Sequence, residues 1–241
     1  MLPGPDYIYK CPGCDNLLRN EIVMSSNTFG AKLYSDGKAV SPMLPEPIIL
    51  TSCKKCNTMF WLSHLRTLGS IGWDTSENPE WENAEELELL DIPEYLNALK
   101  IGIAKNKKEE IFIREKIWWL YNDRIRNNRK LFLNENDELI YLENISKFIK
   151  LLNQSSILNK ILSLFNLNNK KHTITLAELN RNLGNFEDCI RILKNIDDKD
   201  LNSYKDKIIQ ECLTKNKFVV EMTSKSMHKK RNTLRIKKEN N

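Results

Sequence analysis

Short apolar runs separated by turn residues fill the first 66 positions of the chain, and from residue 91 onwards apolar residues recur at three- and four-residue intervals. The first pattern is typical of β-strands and the second of amphipathic α-helices. The sequence therefore predicts an α+β protein. A small β-rich N-terminal module is followed by an all-α domain.

Three apolar runs in the N-terminal module are predicted strands: Tyr7–Tyr9, Pro47–Thr51 and Met59–Leu62. Between the first two, residues 31–40 are predicted to form a hairpin that turns at Asp36-Gly37. Asp-Gly is a strong signal for a two-residue hairpin turn. The module is expected to span residues 1–66.

Residues 67–90 contain Gly69, Gly72, Pro79 and many acidic side chains, and they predict an acidic linker packed on the body of the protein. The helical domain is then expected over residues 91–222. Asp91 is the predicted N-cap of its first helix, since Pro93 and Glu94 suit a first turn. Further helices are predicted near 107–127, 139–152, 155–166, 170–183, 186–196 and 200–215.

Four cysteines form two C-x-x-C pairs, Cys11 with Cys14 and Cys53 with Cys56. Two such turns supply the tetrahedral set of four thiolates that Zn²⁺ prefers, which leaves no open position for catalysis. A structural zinc site is therefore the favoured interpretation. A rubredoxin-like iron site and a disulfide or redox pair are the alternatives. The 38 residues between the pairs exceed the spacing of a short zinc ribbon, so they must hold an insertion.

The remaining cysteines and the nearest histidine are not expected to bind metal. His64 follows Cys56 by eight residues, but four cysteines already complete the shell. Cys189 and Cys212 fall in helical patterns, where a cysteine usually acts as a small buried hydrophobic residue.

Charge is unevenly distributed along the chain. The net charge of +5 comes from residues 225–241, which carry seven Lys or Arg and one Glu, so residues 1–224 have a net charge of −1. Residues 223–241 are predicted to be a basic disordered tail that can attract nucleic acid non-specifically. The acidic cluster from Glu77 to Glu94 is predicted to be a solvated face, with docking to a basic partner as the alternative.

Several polar and aromatic residues are candidates for a ligand surface. Asn27, Thr28 and Asp36 belong to the densest polar cluster of the module, although turns of a small β-domain require the same residue types. Trp118 and Trp119 are adjacent on a predicted helix, so one is expected in the core and the other is expected to cover the linker or the zinc module. Binding of a partner by one of them is the alternative. Asp123 lies one turn later, where local pairing is the simpler expectation.

One helical segment resembles the tetratricopeptide repeat (TPR). The residues that carry the resemblance are Ala177 and the run Leu183-Gly184-Asn185-Phe186-Glu187-Asp188-Cys189, which covers about one repeat of roughly 34 residues. The repeat's usual terminal proline is replaced by Asp197-Asp198. The resemblance implies helical hairpins that present a surface to a protein segment.

The overall layout resembles a group of bacterial proteins with an N-terminal four-cysteine zinc-ribbon-like module and C-terminal TPR-like helices. No activity is attached to that group, so the resemblance implies an architecture and no chemistry.

The expected function is that of a non-enzymatic, cytoplasmic protein–protein interaction adaptor with a structural zinc ion. The sequence shows neither a secretory signal nor an apolar run long enough to cross a membrane, and it contains no P-loop, G-x-S-x-G or H-E-x-x-H motif. The alternative is a nucleic-acid-associated zinc-ribbon factor that uses residues 225–241. An enzyme is the third and least favoured reading.

Overall fold

The structure, a computed structural model, describes residues 2–72, 78–162 and 167–222, with the backbone alone at 155–162 and 167–170. The predicted disordered tail and Trp73 to Glu77 lie outside the described residues. The chain divides into two compact units: Met1–Ala31 with Ser41–Leu120, and Lys32–Val40 with Tyr121–Asn241. The predicted boundaries at residues 66, 90 and 222 remain predictions.

The described strands are β1 Leu2–Pro3, β2 Asp6–Lys10, β3 Leu17–Asn20, β4 Val23–Ser25, β5 Lys32–Leu33, β6 Ala39–Val40, β7 Leu50–Ser52, β8 Met59–Trp61, β9 Gly69–Ile71 and β10 Glu85–Glu86. The first unit is built on a four-stranded sheet in the order β10-β3-β2-β9. β2 pairs antiparallel with both β3 and β9, and β10 pairs parallel with β3. β1 pairs with β4, and β7 with β8.

The segment predicted to be a linker contributes β9 and β10 to the two edges of this sheet. Leu87 follows β10 and is buried against Tyr9, Leu18 and Phe60. Its backbone N–H donates to the carbonyl of Arg19 at 2.9 Å, which extends the pairing with β3. Residues 67–90 thus contribute two strands to the sheet of the first unit.

Six helices are described, and most lie where the hydrophobic period predicts them. They are α1 Ile92–Lys100, α2 Lys107–Arg126, α3 Glu135–Leu162, α4 Leu167–Asn182, α5 Phe186–Lys194 and α6 Asn202–Leu213. The predicted break near residue 155 is wrong, because α3 continues through it to Leu162. No glycine or proline interrupts residues 135–162. No described helix is both long and apolar enough to cross a membrane.

The predicted N-cap of α1 is confirmed as a complete capping box. The Asp91 carboxylate accepts from the backbone N–H of Glu94 at 2.9 Å, and the Glu94 carboxylate accepts from the N–H of Asp91 at 2.8 Å. We expect Asp91→Ala to lower the free energy of unfolding by about 1 kcal/mol, because the backbone N–H of Glu94 loses its side-chain acceptor. Urea unfolding followed by tryptophan fluorescence measures this. Asn97→Ala, on an exposed position of the same helix, should cause no loss.

The second unit contains the hairpin β5–β6, which the sequence predicts within the N-terminal module. The hairpin itself is confirmed, with Lys32 opposite Val40 and Leu33 opposite Ala39. It belongs to the helical unit because it pairs with the described end of the chain. Met222 N donates to Leu33 O at 2.7 Å, and Ser35 N donates to Val220 O at 2.9 Å.

Helices α4, α5 and α6 share an apolar core in the second unit. Ala177, Cys189, Leu193, Ile208 and Cys212 are buried in it. Gly184 joins α4 to α5 at φ +85°, a left-handed conformation that glycine adopts without strain. The two cysteines occupy these packed positions as the sequence predicts.

Candidate metal centre

Two turns of nearly identical geometry hold the four cysteines. In the first, Cys11 N donates to Asn16 O at 2.9 Å and Asp15 N donates to Cys11 O at 3.0 Å. In the second, Cys53 N donates to Thr58 O at 3.0 Å and Asn57 N donates to Cys53 O at 2.7 Å. Each turn joins two antiparallel strands, β2 to β3 and β7 to β8.

The residue after each pair leaves its turn through the left-handed region of backbone space. Asp15 has φ +56° and Asn57 has φ +58°. Asp and Asn tolerate this conformation better than other non-glycine residues. The local sequence therefore determines the conformation of both turns. The strands that flank the turns bring the two turns together.

The four sulfur atoms form one cluster. All of them lie within 4.8 Å of one another. Cys11 Sγ is 3.5 Å from Cys56 Sγ, and Cys14 Sγ is 3.8 Å from Cys53 Sγ. These separations exceed the roughly 2.0 Å of a disulfide bond. A tetrahedral ion with Zn–S bonds of about 2.3 Å holds its sulfurs about 3.8 Å apart. The donor set and its spacing fit a four-thiolate metal ion.

The cluster has a buried side and a partly exposed side. Cys11 and Cys53 are fully buried, whereas Cys14 and Cys56 are partly exposed. The buried side packs against apolar residues of the first unit, which are Tyr9, Leu18, Phe60, Leu62 and Leu87. This packing holds Cys11 and Cys53 in place and excludes water from that side of the sulfur cluster.

The surroundings of the four cysteines give the thiols of Cys11 and Cys56 very different pKa values when no metal is bound. Burial raises the pKa of Cys11 to about 12. Hydrogen bonds from the side chain and backbone of Thr58 lower the pKa of Cys56 to about 6. Because only thiolates bind a metal, an incoming ion must displace the protons that remain.

Two acids of the predicted acidic cluster, Glu85 and Glu88, contact the second cysteine turn. Glu85 accepts from the backbone N–H of Lys54 at 2.8 Å and from the side-chain amide of Asn16 at 2.9 Å. Glu88 forms an ion pair with the Lys54 ammonium. The contacts of Glu85 link both cysteine turns to β10. The sequence does not predict them, because the partners are far apart along the chain. Glu77, the first member of the acidic cluster, lies outside the described residues.

The structure separates the polar residues that the sequence groups as one candidate surface. Asn27 and Thr28 lie exposed in the first unit, where Asn27 Oδ1 accepts from Phe29 N at 2.9 Å in a local turn. Asp36 is buried in the second unit. His64 is exposed and does not belong to the cluster of candidate metal ligands.

One of the two adjacent tryptophans lies in the core, as expected. Trp118 is fully buried in the core, and Trp119 is partly buried beneath the Lys116 ammonium, which lies 4.9 Å from its ring centroid. Lys116 also pairs with Glu46. Both tryptophans therefore make packing contacts within the first unit.

Asp36 and Asp123 meet in a polar cluster of the second unit. The Arg126 guanidinium forms ion pairs with both carboxylates, at 2.6 Å from Asp123 Oδ1. Asn122 Nδ2 donates to Asp36 Oδ2 at 2.9 Å, and Lys38 Nζ donates to Asp123 Oδ2 at 2.7 Å. Arg126 is not predicted from the sequence, because no local pattern marks a buried arginine.

A second buried ion pair also escapes sequence reasoning. Glu178 and Arg181 are both fully buried on α4, 2.5 Å apart. Arg181 further donates to the carbonyls of Asn216 and Phe218 at 2.5 and 2.8 Å, and Tyr204 donates to the carbonyl of Ser35 at 2.6 Å. These groups satisfy the backbone of the hairpin and of the C-terminal segment, so they serve packing.

Comparisons of the chain with protein-family models, with curated proteins and with solved structures find no match in any of the three. The functional conclusions below come from the residues themselves.

Proposed function

We propose that the protein is a cytoplasmic, non-enzymatic interaction adaptor whose first unit is stabilised by one Zn²⁺ ion. The observation that carries the metal part is the cluster of four sulfurs, with nearest separations of 3.5 and 3.8 Å in two of its pairs. Cys11, Cys14, Cys53 and Cys56 would hold the ion. Four protein ligands fill a tetrahedral shell, so the ion would supply structure and not a reactive position.

Zinc is preferred over iron because a cytoplasmic four-thiolate site that needs no redox function suits a redox-inert ion. The metal content of the purified protein, measured by inductively coupled plasma mass spectrometry, tests this. We expect about one zinc per chain. A red protein with one iron per chain would instead establish the rubredoxin-like site.

The second unit supports the adaptor role through its helical hairpins. In the hairpin formed by α4 and α5, Ala177 and Cys189 are the small buried residues and Gly184 makes the left-handed turn, which supports the resemblance to a TPR. Such hairpins bind protein segments on their exposed faces.

Exposed leucines at the start of α3 give this role a testable surface. Leu139 is 65% exposed and Leu142 is 38% exposed, and Leu133, just before the helix, is 74% exposed. Leu139 and Leu142 share a helix face because they are three residues apart. Exposed apolar side chains grouped in this way favour a protein partner.

A pull-down with matched baits tests the adaptor role. The baits are the full chain, a 1–224 truncation and the double variant Leu139→Gln/Leu142→Gln, each used with and without nuclease. We expect the first two to retain the same proteins after nuclease and the double variant to lose them. Unchanged zinc content and far-ultraviolet circular dichroism show that the variant is folded. Capture that the double variant retains in full would contradict this surface.

A nucleic-acid-associated role is the second candidate, favoured by the net charge of +6 in residues 225–241. Under this alternative, capture disappears with nuclease and with the truncation. Binding to a DNA or RNA oligonucleotide would then fall steeply between about 50 and 200 mM salt, because each phosphate contact releases a counterion.

A further inference from the structure

The partly exposed side of the metal centre has a side-chain hydroxyl beside one of its sulfurs. Thr58 Oγ1 lies 3.2 Å from Cys56 Sγ. Cys56 is one of the two cysteines that reagents in solution can reach. Toward a metal-bound thiolate the hydroxyl can only donate, since the sulfur then carries no proton.

The two cysteine turns differ at this position. Asn16 holds the place in the first turn that Thr58 holds in the second, two residues after the last cysteine of the pair. Its side chain is directed elsewhere and donates to Glu85 Oε2 at 2.9 Å. A side-chain hydroxyl against the cluster is therefore a feature of the second turn, and it singles out Cys56.

Gly13, in the first turn, leaves the space that this hydroxyl uses. A β-carbon at Gly13 would lie 2.2 Å from Thr58 Oγ1, 2.9 Å from Thr58 Cβ and 3.2 Å from Cys56 Sγ. Any side chain larger than hydrogen would thus push Thr58 away from the sulfur. The glycine within C-P-G-C and the threonine 45 residues later form one arrangement.

We propose that Thr58 is a positioning residue of the metal centre: its hydroxyl donates a hydrogen bond to the metal-bound thiolate of Cys56 and slows both the attack of soft electrophiles on that sulfur and the release of the ion. The inference rests on the proposed zinc site. A hydrogen bond to the thiolate withdraws charge from its lone pairs, which weakens the sulfur as a nucleophile. It also holds the exposed ligand in place, as outer-layer partners of metal ligands commonly do.

The test measures zinc release from the zinc-loaded full chain during reaction with N-ethylmaleimide. In that reaction the Cys56 sulfur forms a bond to a carbon of the maleimide double bond, the adjacent carbon takes a proton from water, and the zinc–sulfur bond breaks. A colorimetric chelator reports the released ion, and peptide mass mapping at early times reports which cysteine is modified. Competition with a chelator of known affinity gives the zinc affinity separately.

Thr58→Val is the informative variant, because valine keeps the shape of threonine and removes the hydroxyl. We expect zinc release and modification of Cys56 to be about ten-fold faster than in the wild type. We also expect the variant to bind zinc more weakly than the wild type does. Thr58→Ser, which keeps the hydroxyl, should react within about two-fold of the wild type. Asn16→Ala, the matched change in the first turn, should leave the modification of Cys14 at the wild-type rate. Gly13→Ala should behave like Thr58→Val.

The outcomes separate this inference from the proposed function. A wild-type protein that contains no metal would contradict both the proposed zinc site and the role of Thr58. A zinc-loaded protein whose Thr58→Val variant reacts at the wild-type rate would contradict the role of Thr58 alone. If Thr58→Ser reacts as fast as Thr58→Val, the effect comes from packing and the hydrogen bond has no role.

Discussion

Replacing Cys11 by serine is expected to abolish zinc binding and unfold the first unit. Cys11 is fully buried among the apolar residues of that unit, and a serine hydroxyl does not substitute for a thiolate ligand. Structural zinc contributes an apparent 10–16 kcal/mol or so at neutral pH, whereas whole domains are stable by only about 5–15 kcal/mol. Loss of the ion therefore removes a free energy as large as the whole stability of a typical domain.

Tryptophan fluorescence is the appropriate signal for this experiment. All five tryptophans lie between residues 61 and 119 of the sequence, and the four that the structure describes belong to the first unit. We expect Cys11→Ser to contain less than about 0.1 zinc per chain, to emit at the red-shifted wavelength of exposed indoles and to lack a cooperative thermal transition. A chelator in excess should produce the same spectrum from the wild-type protein.

Cys189→Ala provides the matched control. Cys189 is equally buried but lies outside the metal cluster, in the core of the second unit. Its replacement should leave the zinc content and the tryptophan emission unchanged. A Cys11→Ser protein that keeps one zinc per chain would contradict the assignment of the four ligands.

The two cysteine turns could be predicted from the sequence because the information for each turn is local. Each pair of cysteines sits in a turn of a few residues, and Asp15 and Asn57 supply the left-handed exits that both turns need. The hairpin around Asp36-Gly37 is local in the same sense, and the structure confirms it. Where a few consecutive residues determine the conformation, residue type and spacing were sufficient.

What the sequence does not predict depends on partners that are distant along the chain. β9 and β10 contain three and two residues, too few to show a strand period, and they are strands only because β2 and β3 offer free edges. Asp36 looks like an ordinary turn residue, yet its ion-pair partner Arg126 is 90 residues away. The assignment of the hairpin to the second unit follows from such contacts and from no local signal.

The Asp36–Arg126 pair gives the second prediction with a large effect. The side chains of Asp36 and Arg126 are 0% and 4% exposed. Arg126→Met keeps the aliphatic part of the side chain and removes the guanidinium, which leaves the Asp36 carboxylate buried without this cation. We expect the free energy of unfolding to fall by about 3–5 kcal/mol, since removing one partner of a buried pair leaves an uncompensated charge.

Urea unfolding followed by circular dichroism at 222 nm measures this loss, because four of the six described helices lie wholly in the second unit. Arg191→Met is the matched control. Arg191 pairs with Asp188 at 2.6 Å, but the two side chains are 68% and 51% exposed. That loss should stay below about 1 kcal/mol, because water screens an exposed pair.

The sign of the pH dependence gives an independent check on the mechanism. Burial is the largest influence on Asp36 and raises the pKa of its carboxyl above the ordinary value, while Arg126 opposes this rise. In Arg126→Met the pKa must rise further, so the native state binds a proton that the unfolded state releases at the same pH. Stability from this group is then present at low pH and lost as pH rises through the folded-state pKa. The loss in free energy of unfolding that Arg126→Met causes should therefore be smaller at pH 5 than at pH 8.

Adding Asp36→Asn to Arg126→Met removes the buried negative charge that loses its arginine partner in the single variant. The double variant should recover much of the lost stability, because asparagine can still accept a hydrogen bond from Asn122 and carries no charge to desolvate. It should also lose the pH dependence of the single variant. A double variant that is no more stable than Arg126→Met, with the same pH profile, would mean that the arginine acts through its packing and not through Asp36. The hairpin would then be held in the second unit chiefly by its backbone pairing with Val220 and Met222.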